Sequence, residues 1–186
     1  MRSRQQQTLV FSIIGGIGFF LILTTVWLYL RQHKFLKYEN KLYGFSLKYP
    51  AAWAYAENQG GAAAIFYAPA ENELDIFKEN VNIVIQDISK NPMGLEEYTK
   101  TAIRQMQLVF EQNLVILESE PTLIDGRAAH RFVFLGKGPE AELRFMCLWT
   151  LVDMTAYQIT YTAIDAKYDK YIDQVKSLVR SFKIKQ

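Results

Sequence analysis

The chain has 186 residues, half of them hydrophobic, with 21 basic and 19 acidic side chains and a formal charge of +2. Four of the basic residues, Arg2, Arg4, Arg31 and Lys34, flank one apolar stretch, leaving 17 against 19 and a remainder near −2. That balance excludes the clustered Lys and Arg excess of a nucleic-acid binder, and the single cysteine, Cys147, excludes an internal disulfide or a cysteine-based zinc site.

After a short tail (1–8), residues 9–30 read LVFSIIGGIGFFLILTTVWLYL, 22 residues without a charge. As a helix they reach about 33 Å, enough for a hydrocarbon core of about 30 Å. The run is longer than the apolar core of a cleaved signal and ends in bulky residues, so a retained transmembrane helix is expected. Trp27 and Tyr29 fit an interfacial aromatic belt. Ser12 and Gly16 stand at the spacing at which two membrane helices approach closely, which makes a homodimer through the span one option. Basic residues nearly balance across the span. The short leading tail favours an extracytoplasmic domain.

Residues 31–41 read as a juxtamembrane linker, with 35–40 polar and aromatic, and 42–184 as one globular domain. Its first strand is expected over 42–49, closed by Pro50. A short extended piece follows Trp53, then a strand over 62–68. Residues 69–80 read as a solvated acidic loop carrying Glu71, Glu73, Asp75 and Glu79. A strand at 81–88 leads through a Pro-Gly turn to a helix at 95–112, whose apolar stripe is Leu95, Tyr98, Ala102, Ile103, Met106, Val109 and Phe110. Strands follow at 114–119, 127–135, 141–152 and 156–163, with turn signals at Asp125-Gly126 and at 136–139. In 141–152 the odd positions, Leu143 to Leu151, make a core face. Asp165 is placed to cap a last helix over 166–181 with a second apolar stripe, Tyr168 to Phe182. Short turns imply antiparallel pairing, and two one-striped helices imply packing on a sheet. The fold class expected is α+β: an antiparallel β-sheet flanked by helices, preceded by one transmembrane helix.

Gly44-Phe45-Ser46-Leu47-Lys48-Tyr49-Pro50-Ala51-Ala52-Trp53 resembles the opening motif of the PsbP-like proteins. Asn80 to Ile85, Leu95-Glu96-Glu97-Tyr98 and Ser181-Phe182-Lys183-Ile184 resemble later markers of that family in the same order. The resemblance covers residues 42–184. It implies an α-β-α sandwich, binding or assembly work instead of catalysis, and an extracytoplasmic site, as for the lumenal photosystem II subunit and for periplasmic DcrB. The family's docking extension is here replaced by the span, so a photosystem role is not carried over.

The residues suited to chemistry are few. His33 lies beside the span. His130 sits in a strand and Cys147 on a core face, and both are read as structural. A nucleophilic site would need a Ser or Cys partnered with a histidine. Neither Gly15-Gly16-Ile17-Gly18 nor Gly60-Gly61 makes a phosphate loop. The acidic loop lacks the glycine of a calcium loop, so Glu71, Glu73, Asp75 and Glu79 are candidates for a partner patch only. Trp53 is read as a core plug. No catalytic residue, metal or cofactor is assigned. The partners expected are the membrane, through a single span, and another membrane or envelope protein. The alternative function is a small-ligand carrier or sensor, which requires an apolar cleft with convergent polar groups between sheet and helix.

Overall fold

The structure, a computed structural model, describes residues 22–26, 34–73, 75, 77–138 and 140–185. Residues 22–26 are helical, with Ile22, Leu23 and Val26 exposed. The rest of the expected span, including Ser12, Gly16, Trp27 and Tyr29, lies outside the described residues, as does His33. No helix among the described residues is long and apolar enough to cross a membrane.

Among the described residues, ten strands form two antiparallel sheets. The strands are β1 (Phe35–Asn40), β2 (Phe45–Pro50), β3 (Ala54–Gln59), β4 (Ala62–Tyr67), β5 (Asn80–Asp87), β6 (Val115–Ile124), β7 (Arg127–Lys137), β8 (Glu142–Val152), β9 (Thr155–Ile164) and β10 (Lys183–Ile184). The large sheet runs β3-β4-β5-β9-β8-β7-β6 and the small one β1-β2-β10. Helix α1 (Leu95–Phe110) follows β5, and α2 (Tyr168–Arg180) follows β9. The antiparallel sheet with flanking helices agrees with the expected α+β class.

The small sheet and α2 cover one face of the large sheet. Phe45 stacks on Phe182 with ring centroids 5.3 Å apart, and Leu47, Val81, Ile159, Tyr161, Val175 and Leu178 fill the layer between. Gly44 makes this closure possible. Its φ is +63°, and a Cβ there would stand 2.9 Å from the Lys185 carbonyl oxygen. The Lys185 N–H donates to the Gly44 carbonyl at 2.7 Å. The family motif thus reads as a clasp: its glycine, aromatic and aliphatic residues hold the C-terminal strand. Trp53 ends the motif, 5% exposed, its Nε1 donating to Gln174 Oε1 at 3.0 Å and its ring edge-on to Tyr171.

Three expectations need correction, and a fourth, the core face of β8, holds and is extended. Residues 35–40 are strand β1, not linker: Tyr38 and Asn40 turn inward, and the Tyr38 ring meets Phe45 and Phe66. The core of β8 is two-faced. Cys147 and Trp149 face α1, while Met146 and Leu148 face the small sheet, because β8 is central and both sides of it are covered. Asp165 does not cap a helix. Its carboxylate accepts from Arg144 Nε at 2.6 Å, and a 3-10 turn, Asp165–Lys167, precedes α2. In α1 the stripe narrows, since Val109 is 74% exposed.

Candidate functional site

Helix α1 packs over β7 and β8. Trp149 Nε1 donates to Thr99 Oγ1 at 2.8 Å, and Phe110 meets Phe134 and Phe145 at 5.3 and 5.2 Å. Gly136 allows that approach, because a Cβ there would lie 2.6 Å from the Phe110 ring. Strands β5 and β9 on the same face are left beside the helix instead of beneath it. The result is a groove of about 340 Å³ between α1 and β5/β9. A groove of that size is within the range of small-molecule and peptide sites.

Its apolar wall is Ile88, Met93, Ala102, Met106, Val109 and Phe110. Its floor is polar and uncharged. The Tyr98 hydroxyl, from the first turn of α1, donates to Gln86 Oε1 of β5 at 2.9 Å and accepts from Gln158 Nε2 of β9. Gln158 Nε2 also lies 3.5 Å from Gln86 Oε1. Tyr98 is 5% exposed, and burial raises its pKa, which keeps the hydroxyl protonated. Thr101 and Gln105 add neutral groups from the helix. Charge enters only with Asp87, the last residue of β5, and Lys90 just beyond it, and the Asp87 carboxylate accepts the Ser89 N–H at 2.8 Å. These groups can bind a molecule and orient it. Tyr98 was readable in the sequence only as a core-stripe residue, and Gln86 and Gln158 only as the polar faces of two distant strands. Their convergence depends on β5 pairing with β9, which sets Gln158 against Val84 and Gln86 against Ala156.

Of the four acidic candidates, Glu71 and Asp75 share Lys167, whose charge also reaches Glu79, while Glu73 stands apart. Glu71 accepts from Lys170 at 2.7 Å, and Asp75 accepts from Lys167 at 3.0 Å and from the Glu71 N–H at 3.0 Å. The Lys170 hydrogen bond holds the Glu71 carboxyl below its ordinary range, and the Glu71 amide followed by Lys167 does so for Asp75. Glu73 is exposed. Glu79 is fully buried, with neither carboxylate oxygen hydrogen-bonded to another residue, and burial pushes its pKa up. The loop is therefore no solvated patch. Two of its acids strap it to α2 and to the 3-10 turn before it, and a third enters the core. No group of three or more metal-ligating side chains occurs among the described residues.

His130 Nε2 lies 3.0 Å from Ser119 Oγ, a serine–histidine contact that the sequence did not suggest. The His130 ring stacks on Trp149, burial lowers its pKa, and the pair sits on the surface of β6 and β7, away from the groove. Among the described residues, no carboxylate hydrogen-bonds to the ring to orient it, as a triad needs. Cys147 is buried and its thiol is pushed up to about 12 by desolvation, which keeps it unreactive.

The fold is an antiparallel α+β sandwich whose α1 face carries a groove with an uncharged floor. The PsbP-like protein family profile matches residues 30–184, and the chain belongs to that family. Among solved structures it is similar to cyanobacterial PsbP from Synechocystis, at 14% identity and a TM-score of 0.60 over 81% of this chain and 92% of that one. It is also similar to the Ran-binding protein Mog1p of Saccharomyces cerevisiae (10% identity, TM-score 0.57, 81% and 95% covered). A third likeness is to LpqN of Mycobacterium tuberculosis, described as involved in cell envelope biogenesis (10% identity, TM-score 0.55, 85% and 95% covered). At these identities the likenesses show the fold alone. A search of curated proteins finds no match.

Proposed function

We propose that this protein is a single-pass, membrane-anchored PsbP-like binding or assembly module, with its domain on the extracytoplasmic face, serving as a non-catalytic accessory factor of a membrane or envelope protein complex. The observation that carries the reading is the family match over residues 30–184 joined to the uncharged stretch at 9–30, and the groove beside α1 offers a surface for a partner. The fold neighbours support it to the extent of their descriptions: one binds Ran, and another takes part in cell envelope biogenesis.

The anchor rests on residues 9–30. The domain's backbone is pinned from Lys34 onward, whose carbonyl accepts the Ala51 N–H at 2.7 Å. Residues 31–34 then span at most about 14 Å. The domain is held against the membrane surface, where tethering raises its effective concentration toward membrane partners.

Pull-down in gentle detergent of the full-length and span-deleted forms tests the assembly role. A specific membrane or envelope protein is expected with the full-length form, and recovery of none by either form overturns the reading. A reporter fused after Gln186 is expected to be active outside the cytoplasm, and activity only inside overturns the orientation. The same groove favours a second reading, a small-ligand carrier or sensor, which predicts a bound small molecule in protein purified from its native membrane.

A further inference from the structure

We infer that the groove beside α1 takes an extended, uncharged peptide segment, held by its backbone amides; this rests on the binding-module reading above and names the chemistry of the partner.

The hydrogen-bonding groups of the floor select the ligand. Two amide side chains and one phenol meet there. The Tyr98 hydroxyl consumes one amide oxygen as acceptor, that of Gln86, and one amide N–H as donor, that of Gln158. What remains is the Gln86 amide N–H₂ and the Gln158 amide oxygen. Turning both amides over exchanges the labels and leaves the same complement, one free amide donor and one free amide acceptor. A group that both donates and accepts satisfies them at once; a peptide amide does so through its N–H and C=O, and an extended chain repeats that pair at every residue. A hydrocarbon chain laid over them would strip water from both without replacing its hydrogen bonds, at a cost for each group. A carboxylate or phosphate would meet a floor without a cation, because Lys90, the one cation of the lining, lies past the end of β5.

Shape selects an extended chain over a compact amide. Tyr98, Ala102, Met106 and Phe110 line the groove from successive turns of α1. The helix rises about 18 Å between the first and the last. An extended peptide covers that length with about five residues. The wall that would receive its side chains carries two methionines, Met93 and Met106, whose flexible thioethers adapt to varied apolar groups. The binding energy comes from backbone amides and loosely specified apolar contacts, so the segment is defined by its lack of charge and its extended form more than by one sequence.

The test uses the full-length protein in detergent micelles against an array of capped hexapeptides built from Ala, Val, Leu, Ser and Thr, with decanol as an amide-free probe. Binding is read by carbon-13 methyl signals of Met93 and Met106. The expected result is saturable shifts with a subset of peptides and none with decanol. In the double variant Gln86→Leu/Gln158→Leu, which keeps the shape of the floor and removes its amides, peptide affinity is expected to fall about tenfold or more. Thr101→Arg, on the exposed wall of α1, provides a second variant that obstructs the groove while leaving the core intact, and it is expected to abolish the shifts. Shifts with decanol alone, no shifts with any peptide, or peptide binding unchanged in the double variant overturns the inference. The assembly role is read separately: a partner pulled down equally by wild type and double variant leaves that role standing and places the contact elsewhere on the domain.

Discussion

The two faces of the seven-stranded sheet are built to different standards. On the face under β1, β2, β10 and α2, the cover is deep. Phe45, Phe66, Val81, Ile83, Ile159, Tyr161, Val175, Leu178 and Phe182 are all fully buried. On the α1 face a single helix covers β7 and β8, Tyr98 is the helix's one buried residue, and Leu108 and Val109 remain 71% and 74% exposed. Closing the first face takes both ends of the domain, which the Gly44–Lys185 contact brings together. The second face is closed by one local element that does not span the sheet, and the uncovered part is the groove. Stability is concentrated on one side, and the other keeps an open groove.

This contrast can be broken most severely at the clasp. Phe182→Ala removes a fully buried ring stacked on Phe45 and is expected to destabilise the domain by about 3–5 kcal/mol in urea unfolding. A cost below about 1 kcal/mol would show that the closed face is not the main store of stability. Gly44→Ala keeps the strand but forces a Cβ against the Lys185 carbonyl at positive φ, with an expected loss of about 1–3 kcal/mol. Hydrogen exchange should report it first in β10 and β2.

On the open face, Thr99→Val deletes the acceptor of the Trp149 indole N–H, with an expected cost of about 1 kcal/mol and a change in tryptophan emission. An intermediate case lies at Glu79. Its folded-state pKa is raised, so the folded protein holds this proton more tightly than the unfolded chain does. The group's favourable contribution is full below the unfolded carboxyl pKa and is lost as pH rises through the raised folded value. Glu79→Gln is therefore expected to stabilise at neutral pH by on the order of 1 kcal/mol. The gain should disappear toward acid pH, read as melting temperature against pH. A gain that persists unchanged into acid would mean that the carboxylate is not the cause. Glu71 and Asp75 shift the other way, so the stability they add is present above the ordinary carboxyl range and lost as pH falls through their lowered values. The smallest effect is expected for Leu108→Gln on the exposed side of α1, within about 0.5 kcal/mol.

The elements that could be read from the sequence are those whose burial has a local period. The odd positions of β8 and the stripe of α2 are visible because alternation and helical spacing repeat over many residues. Strand β1, FLKYEN, escaped because its inward residues are a tyrosine and an asparagine, which carry no hydropathy signal. The inward turn of Glu79 escaped for a related reason. A carboxylate in an acidic loop looks solvated until the loop is tied down by Lys167 of the 3-10 turn and Lys170 of α2, more than ninety residues away in the chain. The even positions of β8 were hidden by the strand's place at the centre of the sheet.

By itself the sequence determined the antiparallel α+β class, the order of the main elements, the family motif and the presence of one uncharged stretch long enough for a membrane, because each rests on short-range pattern and length. Only the tertiary structure decided that the motif is a clasp closed by the C-terminal strand, that the acidic residues divide between ion pairs and core, and that Gln86, Tyr98 and Gln158 share one groove. Those outcomes depend on pairing between segments distant in the chain, β2 with β10 and β5 with β9, and on how far a single helix can reach across a wide sheet. Neither leaves a local trace in the sequence.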